Sequence, residues 1–252
     1  MIHFVGAGPG AEDLITVRGS QYLKKADVII YAGSLVNPAL LKLAKEECKI
    51  YNSAYMTLEE VLDVMEDAEH QNLMTVRLHT GDPSIYGAIR EQMDALKEKN
   101  LPFDVCPGVS SFFGAAASLQ MEYTLPEVSQ TVIISRAEGR TPVPPKESLD
   151  QLAKHQATMV LFLSSGLAQK VKEDLLSGGY AADTPVAVVY KATWPEEKKL
   201  YTTLERLPED MEREGISKTA LIIVGNVLGN SYKKSKLYDA SFTTEFRRGK
   251  EE

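Results

Sequence analysis

Ile2-His3-Phe4-Val5-Gly6-Ala7-Gly8-Pro9-Gly10-Ala11 runs from a short apolar segment straight into a turn rich in glycine. So short a run, punctuated by glycine, reads as a buried β-strand that delivers the chain into a tight loop. The loop satisfies G-x-G-x-x-A, which raises a dinucleotide fingerprint. Two details argue against that reading. Pro9 removes a backbone N–H that a pyrophosphate would use. The second strand closes as Ile30-Tyr31-Ala32-Gly33 with no acidic residue for a ribose, and Asp27 stands at its other end. A purely structural glycine turn and a close-approach loop for another ligand remain, and the second fits best.

Outward from this loop, short apolar runs alternate with helical patterns. Asp27–Tyr31, Met74–Leu78 and Phe103–Cys106 read as further strands. Between them, residues 58–70 place Leu58, Val61, Leu62, Met65 and Ala68 on one helical face, and residues 84–99 do the same with Ile85, Ile89, Met93 and Leu96. This alternation predicts an α/β fold with a largely parallel sheet. After Gln120 the pattern breaks at an aperiodic stretch holding Pro126. It then resumes with strands at 131–135, 159–163, 186–190 and 220–224 and helices at 169–176 and 208–213. The expected organisation is two α/β domains with mostly parallel sheets, at residues 1–120 and 121–240. A charged tail follows at 241–252, its last residues expected to be mobile.

Composition narrows the function classes. The 252 residues are 44% hydrophobic and 25% charged, an ordinary globular balance. No apolar run approaches the length of a membrane span, and the opening strand does not read as a signal peptide, so a cytoplasmic protein is expected. A net charge of −7 argues against broad nucleic-acid binding, which needs a field of Lys and Arg. Cys48 and Cys106 read as two reduced thiols. His3, His70, His79 and His155 show no metal-ligand spacing, so no metal site is expected, and His79 reads as part of its strand.

Two more strand ends carry motifs. Thr80-Gly81-Asp82-Pro83-Ser84-Ile85-Tyr86-Gly87 follows the third strand, at the edge where open α/β sheets bind ligands. A plain strand-to-helix turn capped by Ser84 explains it equally well. Cys106-Pro107-Gly108-Val109-Ser110-Ser111 leads into a helix of small residues, Gly114-Ala115-Ala116-Ala117, suited to close packing against a neighbour or a cofactor.

In this order the motifs resemble those of the tetrapyrrole (corrin/porphyrin) methyltransferases over nearly the whole chain. The resemblance rests on Val5–Gly19, Gly81–Gly87, Pro107–Ser111, the strand Val160-Leu161-Phe162-Leu163 and the closing run Ala220–Gly225. Residues 31–37, and 235–239 with Phe242, look like the enzymes that methylate carbon 11 of precorrin-4. Ala32 stands where uroporphyrinogen methylases carry aspartate, and Thr219 where many relatives carry proline.

The resemblance implies a cofactor and substrate cleft between the two domains. It implies methyl transfer from S-adenosylmethionine to carbon 11 of precorrin-4 or cobalt-precorrin-4 in cobalamin biosynthesis, with S-adenosylhomocysteine as product and a homodimer as the assembly. By motif matching, Pro9, Gly81, Asp82, Ile85, Ser110 and Ser111 would contact the cofactor from the first half, and Leu163, Ala192, Thr219 and Ala220 from the second. The substrate class is a large polyanion, and Arg18, Arg90, Arg136, Arg140 and Lys191 are candidates to meet its carboxylates. No general base is assigned. The alternatives are a sibling enzyme acting at another ring carbon, a relative modifying diphthamide or ribosomal RNA, and a non-catalytic cofactor-binding module.

Overall fold

The computed structural model describes residues 1–249. Of the expected charged tail, residues 250–252 lie outside the described residues, where the mobility expected of the chain's end also falls. The chain divides into two compact units. The first is Met1–Ser118 with Lys191–Lys198, and the second is Leu119–Tyr190 with the chain from Lys199 onward.

The first unit is built on five strands, β1 (Ile2–Gly6), β2 (Val28–Tyr31), β3 (Lys49–Asn52), β4 (Thr75–His79) and β5 (Phe103–Cys106). They form one sheet in the order β3-β2-β4-β1-β5, with every pairing parallel. Side chains alternate across a strand, so β1 sends Ile2 and Phe4 to one face and Val5 to the other. On the first face Ile2, Phe4, Val28 and Ile30 pack against α2 (Leu58–His70) and α3 (Arg90–Glu98). On the second, Val5, Ile29, Val76 and Leu78 pack around Leu23 of α1 (Val17–Lys25). Burial on both faces is why β2 reads as a continuous apolar run and β1 as a nearly continuous one. Each fully buried side chain of this size contributes about 1.5–3 kcal/mol. Thr57 and Glu60 form a capping box that fixes the start of α2.

The helix expected over residues 84–99 begins only at Arg90. Tyr86 and Ala88 hold φ of 56° and 48°, which a right-handed helix does not tolerate, so residues 84–86 form a turn and 87–89 are irregular. Ser84 does not cap the helix. Its hydroxyl turns back onto Asp82.

After α4 (Ser111–Leu119), the second unit holds β6 (Val132–Arg136), β7 (Thr158–Phe162), β8 (Pro185–Tyr190), β9 (Lys198–Thr203) and β10 (Ala220–Val224), in the order β6-β7-β10-β8-β9. Here β6 pairs parallel to β7, while β10 runs antiparallel to both β7 and β8. Parallel pairs predominate over the two sheets together, but this sheet is mixed. Helices α5 (Leu149–Ala153), α6 (Ala168–Ser177) and α7 (Leu207–Arg213) bury Leu149, Val171, Leu175 and Met211 with Met159, Leu161, Val188 and Ile222 of the sheet. Among the described residues no helix is long and apolar enough to cross a membrane.

Candidate functional site

Three loops leave the carboxyl ends of β1, β4 and β5, the edge at which parallel sheets receive ligands. Backbone hydrogen bonds tie the first two together. The Gly81 N–H donates to the Gly8 carbonyl at 2.9 Å, and the Gly8 N–H donates to the Gly81 carbonyl at 3.2 Å. Asp82 ties the second to the third, since its Oδ2 accepts the Gly108 N–H at 2.8 Å. Its Oδ1 accepts the Ser84 N–H at 2.9 Å and the Ser84 hydroxyl. Burial pushes the Asp82 carboxyl up, but hydrogen bonds from the Ser84 side chain and from the Gly108 and Ser84 N–H groups outweigh it. The net shift is below the usual value, and the group stays a carboxylate.

Glycine is what lets the loops meet. A Cβ on Gly108 would lie 2.1 Å from the Gly81 carbonyl oxygen, and one on Gly6 would lie 2.6 Å from the Gly108 backbone. Gly81 itself holds a φ of +58°, a conformation glycine adopts without a Cβ penalty. Beyond Gly108, Ser110 is 5% exposed, and Ser111 opens α4. Neither serine hydroxyl hydrogen-bonds another described residue. Gly114 of α4 sits against the Pro9 ring, where a Cβ would come within 2.6 Å of the Pro9 Cβ. The small residues of this helix therefore serve close approach to the first loop.

The residues Lys191–Lys198, which a single cut near residue 120 would assign to the second half, pack with the first unit. Trp194 Nε1 donates to the Pro9 carbonyl at 3.2 Å, and the Ala11 N–H donates to Thr193 Oγ1 at 2.9 Å. Asn37 Nδ2 donates to the Gly10 carbonyl between them at 2.8 Å. Ala192, 5% exposed, lies in the same segment. The first unit thus carries Pro9, Gly81, Asp82, Ile85, Ser110, Ser111 and Ala192. Sequence reasoning missed Asn37, Thr193 and Trp194. The one available signal was the chain's single tryptophan, set in an otherwise polar stretch.

In the second unit Leu163 follows β7, Thr219 immediately precedes β10, and Ala220 begins it. The antiparallel register pairs Leu161 with Ile222, so the end of β7, just before Leu163, and the start of β10 at Ala220 lie at the same end of the sheet. Leu163 is 64% exposed, and both Leu163 and Thr219 hold positive φ, at 51° and 56°. Such backbone in non-glycine residues is a recurrent mark of ligand-facing segments.

Beneath the β4 loop lies a buried polar column. Arg77 donates from Nε to Gln92 Oε1 at 3.1 Å and from Nη1 to the Ile30 carbonyl at 3.2 Å, with no carboxylate partner among the described residues. Gln92 in turn donates to the Ala88 carbonyl at 2.9 Å. Burial lowers the Arg77 guanidinium to about 10. Burial, and then the charge of Arg77, push the His79 imidazole down to about 3, so it is neutral, and its Nε2 has no partner.

The basic candidates are dispersed. Arg18 and Arg140 are exposed and make no ion pair among the described residues. Arg90 pairs with Asp94 at 2.6 Å. Arg136 is committed to the carbonyls of Thr141 and Pro142, at 3.1 and 2.7 Å. Lys191 lies 4.8 Å above the Trp194 ring and 3.7 Å from Glu196.

Residues 1–208 match the family model of the Tetrapyrrole (Corrin/Porphyrin) Methylases. The chain is 57% identical over 245 residues to the cobalt-precorrin-4 C(11)-methyltransferase of Methanocaldococcus jannaschii, covering 97% of this chain and 95% of that protein. A solved cobalamin biosynthetic enzyme, cobalt precorrin-4 methyltransferase, matches with a TM-score of 0.89 and 48% identity, over 91% of this chain and 96% of that one. The uroporphyrin-III C-methyl transferase of Thermus thermophilus, solved in complex with S-adenyl homocysteine, matches with a TM-score of 0.75 and 25% identity, over 90% and 93%.

Proposed function

Because the chain belongs to the tetrapyrrole (corrin/porphyrin) methylases, we propose that it transfers the methyl group of S-adenosylmethionine to carbon 11 of cobalt-precorrin-4 in cobalamin biosynthesis. The observation that carries the substrate is the 57% identity, along nearly the full chain, to a protein named for that reaction. The Thermus relative bound to S-adenyl homocysteine supports the cofactor. The residues present suit such a group: a loop edge of closely meeting glycines, a turn at positive φ, and two serine hydroxyls that hydrogen-bond no described residue.

S-adenosylmethionine, when bound, supplies a methyl group already activated on a sulfonium, so this chain's work is to hold, orient and shield. Cofactor contact is assigned to Pro9, Gly81, Asp82, Ile85, Ser110, Ser111 and Ala192 in the first unit, and to Leu163, Thr219 and Ala220 in the second. Most of these positions are small or apolar, which leaves recognition to backbone N–H and C=O groups. Arg18 and Arg140, exposed and with guanidinium groups uncommitted to any described carboxylate, have no ion pair to give up before meeting substrate carboxylates. Arg90, Arg136 and Lys191 would have to exchange their present partners. Light scattering reads the homodimer that the family resemblance implies.

The direct test incubates the protein with S-adenosylmethionine and either cobalt-precorrin-4 or the metal-free ring, and follows the products by mass spectrometry and carbon NMR. One added methyl at carbon 11, formed faster on the cobalt ring, is the expected result. Methyl transfer to a different carbon, or to neither ring, overturns the proposal.

A further inference from the structure

The Pro9 turn is held by side chains from remote parts of the chain, group by group. Three of its backbone polar groups are engaged in succession: the Pro9 carbonyl by Trp194, the Gly10 carbonyl by Asn37 and the Ala11 N–H by Thr193. The indole lies so close over Gly10 that a Cβ there would come 2.0 Å from Trp194 Cδ1. Holding the turn places the remote segment itself under strain. Lys191 has a φ of 47° and Thr193 a φ of 68°, and for a β-branched residue this is an outlier. Such strain persists only where the surroundings over-determine it, and it gathers at sites that bind or react. A turn needed only to end a strand would not need its groups fixed from 182 residues away.

We propose that Thr193 and Trp194 are positioning residues for the methyl donor: they fix the Pro9 turn in its binding shape before the cofactor arrives, so that binding does not have to order it. This rests on the assignment of the cofactor to the Pro9, Gly81 and Ser110 loops. Preorganisation of this kind raises affinity by removing the ordering cost, without adding a direct contact.

The strain at Thr193 gives a test in which stability and binding move in opposite directions. Thr193→Gly relieves the left-handed backbone but removes the hydroxyl that accepts the Ala11 N–H. Thr193→Ser keeps the hydroxyl. Affinity for S-adenosylhomocysteine is measured by calorimetry per folded molecule, and unfolding is followed separately in denaturant. The expected result is Thr193→Gly at least as stable as the unmutated protein yet about fivefold weaker in binding, the size of one lost hydrogen bond. Thr193→Ser should bind within about twofold of the unmutated protein. A purely structural segment predicts unchanged affinity in Thr193→Gly, and that result overturns the proposal, as does equal weakening in Thr193→Ser. If Thr193→Gly does not fold, Trp194→Phe, which keeps a ring over Gly10 and deletes the N–H, is read in the same way. Failure of the unmutated protein to bind S-adenosylhomocysteine would instead remove the cofactor assignment, and this inference with it.

Discussion

Gly81→Ala and Gly215→Ala together separate the cofactor role proposed for the β4 loop from its backbone strain. Both glycines sit in the left-handed region, at φ of +58° and +67°. A Cβ in that region costs about 1–2 kcal/mol at either site. At Gly215 nothing lies within 4 Å of the added carbon, so backbone strain is the whole effect. At Gly81 the new carbon meets Ser111 N at 3.3 Å and Ser110 Cα at 3.4 Å, so the β4 and β5 loops must part by a few tenths of an ångström. Denaturant unfolding should therefore show similar losses for the two variants, slightly larger for Gly81→Ala. Calorimetric titration with S-adenosylhomocysteine should separate them, with Gly215→Ala binding normally and Gly81→Ala weaker by about tenfold, or about 1.4 kcal/mol. A stably folded Gly81→Ala protein with unmutated affinity would refute the placement of the cofactor against this loop.

Two further outcomes follow from the same region. Gly108→Ala places a carbon 2.1 Å from the Gly81 carbonyl oxygen, against the 3.0 Å below which such contacts essentially do not occur. Its stability, read by denaturant midpoint, should fall by about 1–3 kcal/mol, because a backbone carbonyl and not a flexible side chain must give way. The folded-state value for His79 is about 3 against an ordinary 6.5, so the unfolded chain takes up the proton first. Its stabilising share is whole above pH 6.5 and erodes as pH falls toward 3. In His79→Leu the loss of stability between pH 7 and pH 5 should shrink by about 2 kcal/mol, measured by unfolding at the two pH values.

The first sheet was legible where burial is two-sided. The strands β1 and β2 are mostly apolar because both faces are buried, and β4, which carries Arg77 and His79, was read from Val76 and Leu78 and its place between helical patterns. The edge strands β3 and β9 were not read, since Lys49-Ile50-Tyr51-Asn52 and Lys198-Lys199-Leu200-Tyr201-Thr202-Thr203 are largely exposed and carry little apolar signal. The late start of α3 escaped for another reason. Tyr86 and Ala88 have no residue-type preference for positive φ, and the apolar spacing of Ile85 and Ile89 suits a helix that the backbone does not make. The mixed pairing of the second sheet is likewise set by which strands meet, which local pattern does not encode. Of the candidate site, the glycine loops were visible as motifs. The Thr193 and Trp194 contacts were not, because they join residues 182 and 185 positions apart.

That separation has a consequence for how the protein is made. The Pro9 turn leaves the ribosome among the first residues and Asn37 soon after it, while Thr193 and Trp194, which complete its hold, come 182 and 185 residues behind their partners. At about 5–20 residues per second, roughly 10–40 s pass between the two. In the later part of that interval, once β5 has followed the other four strands out, the nascent chain can assemble the parallel sheet from Met1–Ser118. Its Pro9 and Ala11 backbone groups meanwhile have only water as partners. A chain stopped before Lys191 would carry the sheet, the glycines and the Asn37 contact but leave the Pro9 carbonyl without Trp194 and the Ala11 N–H without Thr193. On the positioning role proposed for Thr193 and Trp194, the binding shape of the turn is completed late in translation, well after the sheet that supports it.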